Sequence, residues 1–321
     1  MLAACLVAPR RFELLETQLL PVTSGDIRFQ VESCGVCASN LGPWAGAEWF
    51  TYPFAPGAPG HEAIGTVVEV GPNVANLKPG MRVATLSQMG FAEFDTAAAD
   101  STVVMPDELK GRLFLGEPLA CAVNVGKRAG ISPGNWVAVV GLGFLGLILV
   151  QLAKASGGRV IGLSSRPESL VLAEAFGAEA TINSQDRHAT VQRVQDLTAG
   201  ELCPVVIEAA GHQGPLDLAS ELTRVRGRLV VAGYHQDGPR TINLQLWNWR
   251  GLDVINAHER DHQVYVHGMR EALELFKAGT LQIDRLITHR LPLPEINAAF
   301  HVAEQRPSGF FKAAVNVRPL P

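Results

Sequence analysis

At 321 residues the chain is long enough for two separately packed cores, and 47% hydrophobic against 18% charged residues describes a globular protein. A formal net charge of −4 gives no electrostatic footprint for nucleic acid or an anionic membrane surface. Five cysteines, an odd number at irregular spacing, point to a reducing, cytoplasmic setting with thiols available for metal or left in the core.

The opening segment, residues 1–8, has no basic stretch ahead of its short apolar run and reads as a first strand, not a signal peptide. Up to about residue 122 the pattern is mainly β. Residues 27–32 alternate, 65–71 are β-branched between glycines, and 81–84 follow a Lys78-Pro79-Gly80 turn. The stretch 44–59, rich in Pro, Gly and aromatics, reads as an ordered loop. From about residue 123 strands and helices alternate. Residues 137–140 read as a strand buried on both faces, 147–155 as a helix and 159–163 as the next strand. Glycines interrupt this apolar region, which excludes a membrane span. A helix at 167–176 closes at Gly177, and strands follow at 205–208, 228–233 and 252–257. Helices near 266–278 and 293–304 and a strand at 312–317 complete an α/β chain.

Between the strand at 137–140 and its helix lies Gly141-Leu142-Gly143-Phe144-Leu145-Gly146, a G-x-G-x-x-G turn. In that setting the glycines permit a tight turn, close approach of a pyrophosphate and close helix–strand packing. The phosphates are expected at the positive helix start, over Gly143, Phe144 and Leu145. The next strand ends in Ser164-Ser165-Arg166, where an NAD-binding chain usually offers a carboxylate to the ribose 2′-hydroxyl. Hydroxyls beside a guanidinium suit a 2′-phosphate instead, so NADP(H) is expected in preference to NAD(H). Ala257 and His258 follow a late parallel strand, and their backbone is expected near the nicotinamide. The charged run His258-Glu259-Arg260 fits either a polar substrate or an inter-subunit ion-pair network.

Two earlier segments carry metal chemistry, Cys34-Gly35-Val36-Cys37-Ala38-Ser39-Asn40 and Gly60-His61-Glu62. No second C-x-x-C completes a four-cysteine site. A thiolate, an imidazole and a carboxylate from separate segments match a catalytic zinc that keeps one position open. Glu117-Pro118-Leu119-Ala120-Cys121 offers further donors.

Together with the glycine turn and Leu286-Ile287-Thr288-His289, these motifs make the chain resemble, over nearly its whole length, the medium-chain dehydrogenase/reductase superfamily. The similar branch is that of the zinc-dependent alcohol, polyol and threonine dehydrogenases. The resemblance implies a GroES-like, mainly β catalytic domain from residues 1–122 and 263–321, around a Rossmann domain at 123–262. It implies Cys37 and His61 as zinc ligands, Glu62 as a fourth or alternating ligand, and Ser39 as carrier of the alcohol proton. It also implies that Lys312 reaches the pyrophosphate. Glu117 precedes the first fingerprint glycine at the spacing of relatives that carry a carboxylate there, and is expected as a ligand in place of Cys121, one helical turn further on.

The departures from the family pattern are specific. No cysteine stands between Cys37 and Cys121, so the lobe holding a structural zinc is expected to be missing, leaving one catalytic zinc. Asn40 replaces the family's usual Asp, and Gly42 stands where some relatives place a relay histidine. The expected function is interconversion of a secondary alcohol, polyol or sugar-like, and its carbonyl. The partner is a small molecule, with no nucleic acid and no membrane, and the assembly a homo-oligomer, dimer or tetramer. Two rival readings are an NADPH-dependent reductase of activated carbon–carbon double bonds and a relative that binds cofactor without catalysis.

Overall fold

The computed structural model describes residues 1–318. Its first elements are β1 (Leu2–Ala8), β2 (Arg11–Glu16), β3 (Asp26–Gly35), α1 (Leu41–Ala45), β4 (Ala63–Val70), β5 (Arg82–Thr85), β6 (Phe94–Ala98) and β7 (Thr102–Val104). There follow α2 (Gly116–Ala129), β8 (Trp136–Val140), α3 (Phe144–Ala155), β9 (Arg159–Ser164), α4 (Pro167–Ala175), β10 (Ala180–Asn183), α5 (Arg187–Leu197), β11 (Cys203–Glu208), α6 (Gln213–Leu222), β12 (Thr223–Val231), α7 (Leu244–Arg250) and β13 (Asp253–Asn256). The chain closes with α8 (His262–Lys277), β14 (Ile287–Pro292), α9 (Ile296–Gln305) and β15 (Lys312–Asn316).

Two compact units result: Met1–Ala120 with the described chain from Asp261 onward, and Cys121–Arg260. The first boundary falls inside α2. The larger unit is the mainly β, GroES-like one. Its sheet runs β14-β15-β3-β4-β5-β7, with β6 also paired to β3, and β1 and β2 form a separate hairpin. In β3 the alternation sends Ile27, Phe29 and Val31 into the core, and the strand delivers its end, Gly35, just ahead of Cys37. Rings of Phe12, Trp44, Phe91 and Phe300 pack around them, Phe12 and Phe300 with centroids 4.8 Å apart.

One buried ion pair stiffens this sheet. Glu32 accepts from Arg82 Nε at 2.7 Å and from Thr66 Oγ1 at 2.8 Å. Arg82 also donates to the carbonyls of Leu109 and Arg112. With both charges hydrogen-bonded several times over, the desolvation cost is largely offset.

The second unit carries six parallel strands in the order β10-β9-β8-β11-β12-β13. This is the doubly wound nucleotide-binding order, whose switch point lies between β8 and β11. The run 137–140 is buried on both faces, as its composition requires. β12 begins at Thr223, ahead of its apolar run, because Thr223 joins the ladder opposite Cys203 before a bulge. Backbone pairing there needs no apolar side chain. Among the described residues no helix is long and apolar enough to cross a membrane.

Candidate functional site

After Gly35 the chain turns through a short 3-10 segment, residues 38–40, where Asn40 Oδ1 accepts the Cys37 backbone N–H at 2.9 Å. His61 arrives from the far end of the 44–59 loop, just before β4. Its Nδ1 lies 3.0 Å from the Pro59 carbonyl oxygen, which can only accept. The Nδ1 proton is therefore held there, and Nε2 faces the cluster. Asn40 Nδ2 donates to the same carbonyl at 3.0 Å. The histidine's orienting partner is thus a backbone carbonyl with a buried amide behind it, in the role expected of a carboxylate. A side-chain motif does not report such a partner; the Pro-Gly-His order was its only trace.

Cys37 Sγ, a ring nitrogen of His61 and a carboxylate oxygen of Glu62 all lie within 4.8 Å of one another. Glu62 is fully buried. Its Oε1 accepts from Lys312 Nζ at 2.6 Å, while Oε2 has no hydrogen-bond partner. A Cβ at position 35 would fall 1.9 Å from that Oε2, so β3 has to end in glycine. Burial alone pulls the His61 pKa down. The hydrogen bond and charge of Cys37, with the charges of Glu117 and Glu62, override it and push the imidazole up to about 10. Burial also opposes the charge on Lys312, but Glu62, Cys37 and Glu117 raise its pKa. Cys37, Glu62 and Glu117 thus bring negative charge to bear on one imidazole, the electrostatic setting a divalent cation would meet. Thiolate, imidazole and an unpartnered buried carboxylate oxygen fit zinc as a donor set.

Ser39 Oγ, half-buried, stands 3.5 Å from His61 Nε2. Glu117, in the first turn of α2, acts on His61 and Lys312 through its charge but lies outside the tight group of three. Of the two carboxylates expected at the metal, Glu62 lies within the group of three and Glu117 lies outside it. Cys121, one turn further along α2, is outside that group too. Lys312, expected at the pyrophosphate, has its ammonium on Glu62.

In the second unit Gly141 leaves β8 with φ +96°, and α3 starts at Phe144 with Gly143 as N-cap and no side-chain cap. The space over Gly143 is open. An open helix start without a side-chain cap fits a pyrophosphate. Phe144 packs inward, so its contribution to a ligand is backbone only, whereas Leu145 is half-buried and Gly146 buried. Ser164 is buried, its Oγ accepting the Arg166 N–H at 3.1 Å; Ser165 is exposed. Arg166 Nη2 pairs with Glu168 Oε1 at 3.0 Å. At the end of β13 the Ala257 carbonyl accepts from Asn124 Nδ2 at 2.8 Å. His258 stacks on Tyr234 with centroids 5.7 Å apart, its pKa lowered by burial and then by Arg260.

Comparison with known proteins agrees with this pairing of sites. Residues 23–116 match the alcohol dehydrogenase GroES-like domain, and 145–278 match the zinc-binding dehydrogenase family. An alcohol dehydrogenase of Geobacillus stearothermophilus is 28% identical, covering 90% of this chain and 91% of the relative. Sorbitol dehydrogenase of Rattus norvegicus is also 28% identical, covering 87% of this chain and 86% of the relative. A solved structure from Sinorhizobium meliloti 1021, bound to NADP, superposes with a TM-score of 0.83 at 25% identity over 98% of each chain. A mainly β unit with a cluster able to hold a metal and a parallel-sheet unit with a dinucleotide turn define a nicotinamide-dependent dehydrogenase. The chain belongs to the medium-chain dehydrogenase/reductase superfamily, in its zinc-dependent alcohol and polyol dehydrogenase branch.

Proposed function

We propose that the protein interconverts a secondary alcohol of polyol or sugar-like type and its carbonyl, using one catalytic zinc and preferring NADP(H). The observation that carries the reading is the grouping of half-buried Cys37 and His61 with buried Glu62. These three would hold the metal, with Glu117 at the exchangeable position. When bound, zinc supplies Lewis acidity towards the substrate oxygen and the nicotinamide exchanges hydride with the substrate carbon. The chain's own residues do the rest. Pro59 and Asn40 fix the His61 ring, Lys312 compensates the Glu62 charge, and Ser39 would relay the hydroxyl proton, accepting it while passing its own proton on to water. Ser39→Ala should lower kcat about hundredfold or more, the range for a lost proton-transfer group, without lowering zinc content. Unchanged turnover in that variant removes Ser39 from the reaction. The polyol preference draws on the similarity to sorbitol dehydrogenase. The single zinc is supported by the lack of any cysteine between Cys37 and Cys121.

The cofactor preference rests on Ser164, Ser165 and Arg166, and the relative bound to NADP supports it. The Arg166–Glu168 pair is partly exposed, a geometry worth under about 1 kcal/mol, so the guanidinium can exchange that partner for a 2′-phosphate at small cost. NADPH should bind about tenfold more tightly than NADH, roughly 1.4 kcal/mol, and Arg166→Ala should erase the difference. Equal dissociation constants for wild-type protein would contradict this.

A homo-oligomer is favoured by the open sheet edge. β13 is largely exposed, and Trp249 beside it is 87% exposed, with Leu244 and Val254 exposed nearby. Sedimentation showing only monomer at micromolar concentration would remove that part of the reading. All five cysteines are unbridged, which supports a reducing, cytoplasmic setting.

A further inference from the structure

The second unit contains a polar chain that neither the fingerprint nor the metal cluster explains. Glu208, the last residue of β11, is fully buried. Its Oε1 accepts the backbone N–H groups of Ala210 at 2.8 Å and Gly211 at 2.7 Å. Its Oε2 faces His235 Nε2 at 3.0 Å. His235 Nδ1 in turn accepts from Arg240 Nε at 2.8 Å, so the imidazole's proton sits on Nε2 and is donated to Glu208. Arg240 Nη2 also reaches the Gly211 carbonyl at 3.1 Å and pairs with Asp237. Two loops that follow neighbouring strands, 209–211 after β11 and 232–243 after β12, are thus tied through one carboxylate. Gln213 adds a second tie, exchanging hydrogen bonds with the Thr241 backbone at 2.7 and 3.0 Å.

What this chain supports is the cofactor turn itself. A Cβ at Gly141 would fall 2.8 Å from Ala210 Cβ and 2.9 Å from Ala210 N, so the 209–211 turn lies directly against the first fingerprint glycine. The Ala209 N–H donates to the Val140 carbonyl at 2.8 Å, joining the turn to the end of β8. β8 and β11 flank the switch point of the sheet, over which a dinucleotide lies. With Ser164 and Arg166 ending β9 on the adenosine side, the other half of the ligand has to cross towards β11 and β12. Ala209 and Ala210 are only half-buried, so the turn's outer face is available to it. A buried carboxylate at this rim has to be held by hydrogen bonds, which the Ala210 and Gly211 N–H groups and His235 supply.

We propose that His235 and Arg240 are positioning residues for the nicotinamide half of the dinucleotide, acting through Glu208 on the 209–211 turn. The inference rests on the dinucleotide reading of the Gly141–Gly146 turn and not on the choice between NADPH and NADH. The test is binding by full-length protein, titrated with NADPH and NADH and, separately, with the adenosine-half fragments adenosine 2′,5′-bisphosphate and AMP. His235→Leu leaves Glu208 Oε2 unpaired, and should weaken both dinucleotides by about tenfold or more while leaving the fragments unchanged. His235→Gln keeps one donor for Glu208 and one acceptor for Arg240, and should restore most of the lost affinity. Unchanged dinucleotide binding in His235→Leu, or equal loss for fragments and dinucleotides, overturns the proposal. If His235→Leu does not fold, Arg240→Met decides. That variant keeps the His235–Glu208 bond, and it should show the same selective loss; dinucleotide binding at the wild-type level overturns the proposal. Failure of every variant and of wild type to bind any of the four ligands would instead strike at the fingerprint reading.

Discussion

Removing the metal from purified protein should abolish turnover and leave NADPH binding nearly unchanged. The two halves of this expectation come from different parts of the chain. Cys37, His61 and Glu62 belong to the unit built by both chain ends, whereas the glycine turn, Ser164 and Arg166 belong to the parallel-sheet unit. Each unit has its own buried core, so the parallel-sheet unit is expected to keep its fold and its fingerprint when the metal is removed. Cys37→Ala should act in the same way, deleting the one thiolate of the group. A loss of about 10–100-fold accompanies removal of groups that merely support metal ligands, and that range is a floor for a ligand itself. Zinc content by elemental analysis and NADPH affinity by fluorescence would be followed together. Turnover that persists in metal-free protein defeats the zinc reading. Metal-independent reduction of an enone would favour carbon–carbon double-bond chemistry in its place.

Much of this site was legible in the sequence because local motifs carry it. The G-x-G-x-x-G turn sits between an apolar run and a helix, and Cys37 and His61 stand in short recognisable segments. Strong apolar runs such as 137–140 and 205–207 became strands because burial on both faces leaves them little else. Other parts had no local signal. The partner of Glu62 is Lys312, 250 positions away, and only the antiparallel pairing of β15 with β3 brings that segment to the site. The orienting acceptor of His61 is a carbonyl, which every residue possesses. β6, β7 and β10 are short and mixed in composition, and they exist because neighbouring strands supply the ladder. The Glu208–His235–Arg240 chain was missed for the same reason as Lys312. Each member looks like an ordinary polar residue until β11 and β12 lie side by side.

Lys312→Met should destabilise the metal-free protein far more than the zinc-loaded one. Methionine keeps most of the volume of the lysine stem, so little cavity forms, and the change is mainly electrostatic. Lys312 is 7% exposed and Glu62 not at all, so this is a buried pair in which each charge depends on the other. Taking away one member of such a pair typically costs about 3–5 kcal/mol, because the survivor stays buried and uncompensated. Here the survivor is worse placed than usual. Oε2 of Glu62 already has no hydrogen-bond partner, and Gly35 closes over it with no room for a side chain that could turn towards it. If that carboxylate faces zinc, a bound divalent cation replaces much of what the ammonium supplied. The thermal midpoint should therefore fall steeply in chelator-treated Lys312→Met and much less after zinc is restored. The double variant Lys312→Met with Glu62→Gln should recover part of the metal-free loss, since no buried charge is left to compensate. Equal falls with and without zinc would mean that Glu62 does not face the metal, and would return the third ligand position to Glu117.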